Sequence, residues 1–356
     1  MIVKSEKYEI ENGNTNSSAL AIIPRYSGEQ FDNFYKNLDV KAKVLIYIDE
    51  KLLKDPGDST NYLYSNLDND PYFEVSVSTR ADAELAEHAD VVIPRFNPPI
   101  NEDFFDELER YDDGTRLFIN PPESQRYFSD KRYLEDIANS HPEIIPRTIV
   151  SDDPEELGWF MYDLRRNGQK EVVYKPARSF GGKNIGKISL DHNYRDLIRK
   201  ADELLNGQEI VLQEFIRNVT QYGDKRIHVV NGEPIGALLR MPERGGFISN
   251  GGQGGSKLKT NITDITDSEF DILEKVLPLL KEKGVYWAGV DLIKNSPSEV
   301  YLGEINAVSP GLLYYTDELN RNLHGKSKED SAVNYLVNEI KESTKKLNYN
   351  RVFSAS

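Results

Sequence analysis

Two apolar runs near the C-terminal end, Val290-Asp291-Leu292-Ile293 and Val300-Tyr301-Leu302-Gly303-Glu304-Ile305-Asn306, leave this chain few ways to fold there. Both runs are strand-like, and both carry an acidic residue. Side chains alternate along a strand, so Glu304 and Asn306 share one face and Ile305 takes the other. Asn295-Ser296-Pro297-Ser298 between the runs is turn material, which predicts a hairpin that brings Asp291 alongside. Hard oxygen ligands on one sheet face suit Mg²⁺, which takes one or two carboxylates and shares its shell with phosphates. An antiparallel hairpin whose acidic residues merely face water accounts for the same letters, because Glu-x-Asn is a short pattern.

Bulk properties narrow the partners. The 356 residues are enough for two or three domains with a large core. A net charge of -15 opposes general binding to nucleic acid or anionic membrane, so an anionic ligand would need local Lys and Arg. The absence of cysteine excludes disulfides, thiolate zinc sites and a cysteine nucleophile, and it fits a reducing compartment. Residues 1–16 are polar with no apolar signal core, and no run approaches membrane-spanning length. A cytoplasmic protein is the expectation.

Up to about Pro122 the chain alternates strands and helices. Ala19–Ile23 and Val44–Ile48 are continuous apolar runs of the kind buried on both faces of a parallel sheet. Val91–Ile93 and Leu117–Ile119 continue the rhythm around a helical stretch at 101–111, which reads as an open α/β layer. Stretches 12–18 and 55–71 look like loops. Asn120-Pro121-Pro122-Glu123 marks a domain boundary. Beyond it, Ser129 is placed to cap a helix through Asn139. Strands are expected at 171–175, 185–190 and 210–215, with a helix over 194–205. Arg226–Val230, Asn231-Gly232 and Pro234–Arg240 form a strong hairpin signal, since Asn-Gly supplies the positive φ angles of a tight turn. An amphipathic helix spans 267–283 and stops at Gly284, with Pro278 placed to kink it. A last helix is expected over 327–345, with a frayed tail after it. The domains are then 1–122, 123–206 and 207–356.

Several segments carry candidate chemistry. Lys175-Pro176 leads into Ala177-Arg178-Ser179-Phe180-Gly181-Gly182-Lys183-Asn184, where a backbone without Cβ atoms can approach phosphate closely. An ordinary hairpin turn explains a lone Gly-Gly as well. It fits neither a Walker loop nor a dinucleotide fingerprint, because a strand and not a helix follows. Gln213-Glu214-Phe215-Ile216 could bond an adenine edge while its apolar members cover the base; a strand leaving the core is the plainer account. Gly223-Asp224-Lys225-Arg226 and Arg240 put cations at both ends of a hairpin, which could converge on a polyanion or simply be solvated. Phe247 to Gly255, with Asn250 inside it, is too rich in glycine for a core element and reads as a linker or a closing loop.

The order of these parts is more specific than any one of them. A Lys-Pro before a Gly-Gly flap, Gln-Glu-Phe-Ile, Gly-Asp-Lys-Arg, a hairpin ending in Arg240-Met241-Pro242, a Gly-Gly loop, Asp291 and Glu304-x-Asn306 followed by Ser309-Pro310 resemble an ATP-grasp ligase. Within that superfamily the pattern is similar to prokaryotic glutathione synthetase. The resemblance covers about 90–310 and includes Arg95-Phe96-Asn97-Pro98-Pro99, Asn120 to Ser124 and Asp130-Lys131. It implies an α/β ATP-grasp fold: an N-terminal open α/β (pre-ATP-grasp) domain, a lid subdomain, and a C-terminal domain that holds ATP against the lid. It further implies that Lys131 and Lys175 contact nucleotide, Gly181 and Gly182 form the flap, and Gln213, Glu214, Phe215 and Ile216 form the adenine hinge. Asp224, Arg226, Arg240 and Asn250 would surround phosphates and the reacting carboxylate. Asp291, Glu304 and Asn306 would hold Mg²⁺, with Mn²⁺ as a substitute. Arg95, Asn97, Ser309, Pro310 and Gly311 would bind substrate. The sequence departs from the family after Pro310, where Gly311-Leu312-Leu313-Tyr314-Tyr315 follows, and at Gln253, where a basic residue is common.

The resemblance implies an ATP-dependent carboxylate–amine ligase working through an acyl phosphate, with Arg226, Arg240 and Lys175 stabilising charge. Its small-molecule partners would be ATP, a carboxylate donor such as γ-glutamylcysteine and an amine such as glycine, and it favours a homo-oligomer. Ligation of a different carboxylate to an amine, or a non-catalytic ATP-binding regulator, are the competing readings. The intact Asp291, Glu304 and Asn306 set counts against the regulator.

Overall fold

The run at Val44–Ile48 is unbroken because both faces of its strand are covered. Val44 and Ile46 pack with Leu63, Leu67, Val333 and Leu336 on one side, whereas Leu45 and Tyr47 pack with Phe104, Phe105 and Leu108 on the other. The computed structural model describes residues 41–48, 58–96, 102–178, 184–242, 246–247, 259–262, 264–325, 327 and 330–354. The expected strand at 19–23 and most of the glycine loop at 247–255 lie outside them.

The first sheet is parallel, as the sequence predicts, with one strand, Phe73–Ser78, that the sequence reading did not single out. Its strands β1 (Ala42–Ile48), β2 (Phe73–Ser78), β3 (Val91–Arg95) and β4 (Leu117–Phe118) run in the order β2-β1-β3-β4. Helix α1 (Ser59–Asp68) covers one face, together with the C-terminal helix described below, and α2 (Glu102–Leu108) covers the other. Helix α1 corrects the expected loop at 55–71. Its polar sequence hides a narrow apolar stripe of Leu63 and Leu67, and Asp58 caps its start by accepting from the Thr60 and Asn61 amides. The Asn-Pro-Pro boundary starts α3 (Pro122–Ser129). Ser129 therefore ends a helix and does not cap one; its hydroxyl donates to the Arg126 carbonyl. The next helix, α4, covers Tyr133–Ser140.

The second sheet contains β5 (Thr148–Ser151), β6 (Glu171–Pro176), β7 (Gly186–Ser189) and β8 (Ile210–Glu214), antiparallel in the order β5-β8-β6-β7. Helices α5 (Pro154–Arg166) and α6 (Tyr194–Leu205) back one face through Leu157, Met161, Leu164, Leu197 and Ala201. Alternation then gives the other face Val173, Lys175, Val211 and Gln213. Strand β8 belongs to this sheet, so a break at residue 206 falls just ahead of one of its central strands.

The third sheet follows a one-turn helix, α7 (Val219–Tyr222). It is antiparallel in the order β11-β10-β9-β12-β13, from β9 (Asp224–Val230), β10 (Glu233–Met241), β11 (Lys259–Ile262), β12 (Trp287–Lys294) and β13 (Val300–Asn306). The β9–β10 turn is Asn231-Gly232, with φ of 49° and 83°, as the sequence predicts. Helix α8 (Asp267–Glu282) runs through Pro278 and packs Ile272, Leu273 and Val276 against Ile227, Val229, Val290 and Leu292. The opposite sheet face carries Asp224, Arg226, Arg240 and Asp291 at one end and the core residues Val230 and Trp287 at the other. Helix α9 (Leu313–His324) follows the Ser-Pro-Gly segment. The last helix, α10 (Ala332–Ser354), starts later than expected, and it continues through the tail expected to fray. No helix among the described residues is long and apolar enough to cross a membrane.

A buried amide ties the first layer to the third sheet. Asn120 Nδ2 donates to the Trp287 and Ala307 carbonyls at 2.7 and 2.5 Å, and its Oδ1 accepts from the Tyr286 and Trp287 amides at 2.6 and 2.7 Å.

Candidate functional site

The predicted hairpin forms, and its register is what matters. Asp291 on β12 stands opposite Glu304 on β13, with a bulge directly after this pair that accommodates Gly303. Ile305 packs into the core below while Glu304 and Asn306 face away from it, so the predicted alternation holds. Strand β13 is the sheet edge, where backbone groups need partners from elsewhere. Tyr133 from α4 supplies them: its hydroxyl accepts from the Ile305 amide at 2.7 Å and donates to the Ile305 carbonyl at 3.2 Å. The peptide between Glu304 and Asn306 is thereby fixed by a side chain 172 residues away in sequence.

Pairing of β9 with β12 adds the cations. Arg226 lies directly across from Asp291, and Arg240 lies across from Asp224 on the other flank of β9. Arg226 Nε and Nη2 each donate to Asp291 at 2.7 Å, a two-pronged bond. Arg240 makes the same fork on Asp224 at 2.6 and 2.8 Å, and its Nη2 also lies 2.9 Å from Asp291 Oδ2. Gly289 makes room for this network, because a Cβ there would sit 3.0 Å from Arg226 Nε. Burial alone would push the Asp291 carboxyl up; Arg226 and Arg240 overcome that and hold it at about 2. Asp224 is pushed up by its own burial, against the pull of Arg240, with the Asp291 charge adding to the rise.

Sheet two contributes two lysines and the apolar wall. Lys175 Nζ is buried and donates to Gln213 Oε1 at 2.9 Å, while Gln213 Nε2 donates to Thr148 Oγ1 at 3.0 Å. Burial lowers the Lys175 ammonium to about 8; Glu304 and Asp291 pull upward and Lys131 pushes further down. Lys131 lies between α3 and α4, with its amide on the Ala177 carbonyl at 2.8 Å and its Nζ 3.3 Å from Glu304 Oε1. Glu214 accepts from Gln169 on one Oε and its own amide is held by the Arg147 carbonyl. Phe215 meets Phe247 edge to face, with ring centroids 5.7 Å apart, and Lys187 Nζ lies 4.4 Å from its ring.

An open cleft lies between the second and third sheets, lined by residues of both. Val173, Ile185, Phe215, Ile216, Val219 and Phe247 line its apolar end. Lys175, Gln213, Asp224, Asp291 and Glu304 line the charged end. A flat apolar slot opening onto a dense set of charges suits a planar base carrying phosphates.

The cleft donors suit a hard divalent ion. Asp291 and Glu304 are opposed carboxylates, Asn306 is one step along the same face, and Asp291 Oδ1, which bonds only Arg226 Nε among the described residues, keeps a further lone pair. No three His, Cys, Asp or Glu side chains among the described residues cluster as a metal site.

Of the other sequence-predicted residues, Asn97, Gly181, Gly182 and Asn250 lie outside the described residues. Ser309 donates its amide to Asn306 Oδ1 at 3.1 Å, and the Gly311 carbonyl lies 3.5 Å from Arg226 Nη1. Arg95 is 2% exposed and does not open onto the cleft. It donates to Thr60 Oγ1 at 3.0 Å and to the Pro310 carbonyl at 2.9 Å, and lies 4.4 Å above the Trp287 ring. The sequence reading missed Tyr133, and Asn120 as a tether. Only Asn120 carried a signal, as part of its Asn-Pro-Pro motif.

Comparison with known proteins agrees with the architecture. The ATP-grasp domain of prokaryotic glutathione synthetase matches residues 136–321. The glutathione synthetase of Prochlorococcus marinus subsp. pastoris is 32% identical over 252 residues, covering 69% of this chain and 74% of that protein. That of Thermosynechococcus vestitus is also 32% identical, over 231 residues, covering 64% of this chain and 66% of that protein. The chain thus spans about two thirds of the length of such relatives. Among solved structures, D-cycloserine synthetase superposes with a TM-score of 0.61 at 18% identity over 86% of this chain and 99% of its own, a likeness of fold alone.

Proposed function

We propose, from the premise that this chain belongs to the prokaryotic glutathione synthetase family and carries its ATP-grasp fold, that it is a C–N bond-forming ligase joining γ-glutamylcysteine to glycine at the expense of ATP. The observation that carries this reading is the convergence of Lys175, Asp291 and Glu304 at one end of the cleft, with Lys131, Arg226 and Arg240 paired to those two carboxylates.

A carboxylate is a poor electrophile, and ATP activates it as an acyl phosphate that an amine can attack. Donor carboxylate and γ-phosphate are both negative, so their approach needs fixed positive charge. Arg226 and Arg240 provide it from a rigid sheet face, already oriented by Asp291 and Asp224. Lys175 and Lys131 reach the same end from the second sheet and the α3–α4 junction. Gln213 holds the Lys175 ammonium in place, and Phe215, Ile216 and Phe247 cover the base. Asp291, Glu304 and Asn306 would hold Mg²⁺, which neutralises phosphate charge when bound. No protein nucleophile is needed, since positioning and charge stabilisation supply the rate.

The reading brings with it, as proposals, a cytoplasmic setting and a homo-oligomer. A second reading, with an amine bulkier than glycine, is favoured by one observation: Gly311 to Tyr315 departs from the family pattern and starts α9 beside Arg226. Incubation of protein and Mg-ATP with γ-glutamylcysteine and a panel of amines, read by phosphate release and mass spectrometry of the product, separates the two. Stoichiometric ADP and tripeptide with glycine supports the first; turnover only with other amines establishes the second; no turnover of any carboxylate–amine pair refutes both.

A further inference from the structure

Helix α5 presents a face that the ligation chemistry above does not use. Trp159 lies near its middle with 57% of its surface exposed, more than any other large hydrophobic side chain among the described residues. Helical spacing puts Glu155, Trp159, Tyr162 and Arg166 on one stripe, at i, i+4, i+7 and i+11. Leu157, Met161 and Leu164 occupy the opposite side and pack into the core of the second sheet. The stripe therefore faces solvent, away from that sheet and from the cleft on its far side. Glu155 and Arg166 are exposed, and neither side chain has an ion-pair partner among the described residues.

Tyr194 on α6 completes the patch. Its ring lies 4.6 Å from that of Trp159 and 5.6 Å from that of Tyr162, and Trp159 and Tyr162 meet at 5.9 Å. Each ring braces the other two, so little side-chain freedom is left to lose on contact with a partner. Acids at the start of a helix and bases at its end are what the helix dipole favours, and that accounts for Glu155 and Arg166 alone. It does not account for a tryptophan held in water between them. Such side chains are enriched at the centres of protein interfaces. The order of the stripe identifies the partner. Its spacing of four residues, three, then four reads the same from either end, with opposite charges at the two extremes. A second α5 laid antiparallel across it sets Glu155 against Arg166 of the other copy and Trp159 against Tyr162, twice over by symmetry.

We propose that the Glu155–Arg166 stripe of α5 is a two-fold interface at which two copies of this chain pair back to back. The inference goes beyond the homo-oligomer of the ligase reading by naming its surface, and it stands without the ligase chemistry. Pairing here joins the outer faces of two second sheets and leaves both clefts open, because Lys175 and Gln213 line the side away from α5. A helix of 13 residues is about 20 Å long. A contact of that length falls at the low end of specific interfaces, about 1,200 Å² or less, so the dissociation constant should be micromolar.

The test is sedimentation velocity of the full chain from about 1 to about 200 µM, a range that brackets such a constant. Wild type should pass from monomer to dimer. Acrylamide quenching of its tryptophan fluorescence should fall in step, because the other tryptophan of the chain, Trp287, is 1% exposed. Glu155→Arg and Arg166→Glu each turn two attractive pairs into two repulsive ones, and each should raise the constant about 10-fold. Mixing these two variants in equal amounts restores opposite charges at both pairs, so the mixture should associate as wild type does. The double variant should do so as well. A stripe that only decorates the surface predicts the same mass for every one of these proteins. Should a swap prevent folding, Trp159→Ala, which removes the central ring, should weaken association about 10-fold or more. Association that the swaps leave unchanged overturns the inference and leaves a homo-oligomer built through another surface. Single swaps that weaken association without recovery on mixing overturn it too, since two-fold pairing requires the recovery. A wild type that stays monomeric throughout overturns both the interface and the homo-oligomer, and leaves the ligase reading intact.

Discussion

Tyr133→Phe removes a single oxygen, yet it should weaken both the fold and the metal-facing strand. The hydroxyl is the only described partner of the Ile305 amide and carbonyl on their outer side, at 2.7 and 3.2 Å. The ring itself stays, packed 5.1 Å from Phe128, so no large cavity opens. What changes is that two backbone groups on a buried strand edge lose their partner, at about 1–3 kcal/mol each when unsatisfied. Allowing for partial relaxation, the loss should be about 2–4 kcal/mol. With a urea slope of about 3 kcal/mol per molar for a chain of this size, the unfolding midpoint should drop by about 1 M. Because Glu304 and Asn306 flank the freed peptide, the Mg²⁺ concentration for half-maximal ligase rate should also rise several-fold. A midpoint within 0.2 M (about 0.6 kcal/mol at the same slope) of wild type, with unchanged Mg²⁺ dependence, would refute the claim that this hydroxyl fixes β13.

Glu304→Gln should leave the urea midpoint unchanged, since the side chain is partly exposed, while lowering turnover about 100-fold or more at limiting Mg²⁺; near-normal rates would remove Glu304 from the ligand set. Asp291→Asn takes the carboxylate from the buried Arg226 guanidinium and one of the two carboxylates from Arg240, and should cost about 3–5 kcal/mol in the same unfolding assay. In the native protein the Asp291 carboxyl sits at about 2 against an ordinary 3.8, so its stabilisation is complete above the unfolded value and is lost as pH falls from that value through 2. Acid titration of Asp291→Asn should therefore show a shallower loss of stability in that window. Lys175, lowered to about 8 by burial, is a cation below that pH and neutral above it; kcat/KM for ATP should fall as pH rises through 8, and Lys175→Met should abolish that limb.

Local pattern foretold the elements whose cause is local. Asn231-Gly232 dictated its turn, and the alternation of Val300–Asn306 told which residues face the core. Helix α1 escaped notice because its polar side chains outnumber a two-leucine stripe, and only Asp58 marked its start. The site was legible as a list of residue types in order, but not as a network. The hairpin turn could place Asp291 beside Glu304; nothing in the sequence states that β9 would pair with β12 and put Arg226 opposite Asp291. Tyr133 was invisible for the same reason. A hydroxyl bracing a strand edge 172 residues away has no periodicity to betray it.

The chain enters the second sheet through β5 and leaves it through β8, and these two strands are hydrogen-bonded neighbours, Thr148 beside Gln213. Both covalent connections to the rest of the molecule thus emerge side by side, with the Glu214 amide on the Arg147 carbonyl between them. A sheet fastened so resembles a door on two adjacent pins: the covalent connections leave it freest to swing about the β5–β8 edge, against the bond of the Lys131 amide to the Ala177 carbonyl. Displacement grows with distance from the pins. Strand β7 lies two places beyond β8, about 9.5 Å at ordinary strand spacing, so a swing of about 10° would carry it roughly 1.7 Å while β8 and the adjoining Phe215 scarcely moved. On the proposed reading, the part of the cleft nearest the pins would hold the base steadily while the far edge rose to admit phosphates.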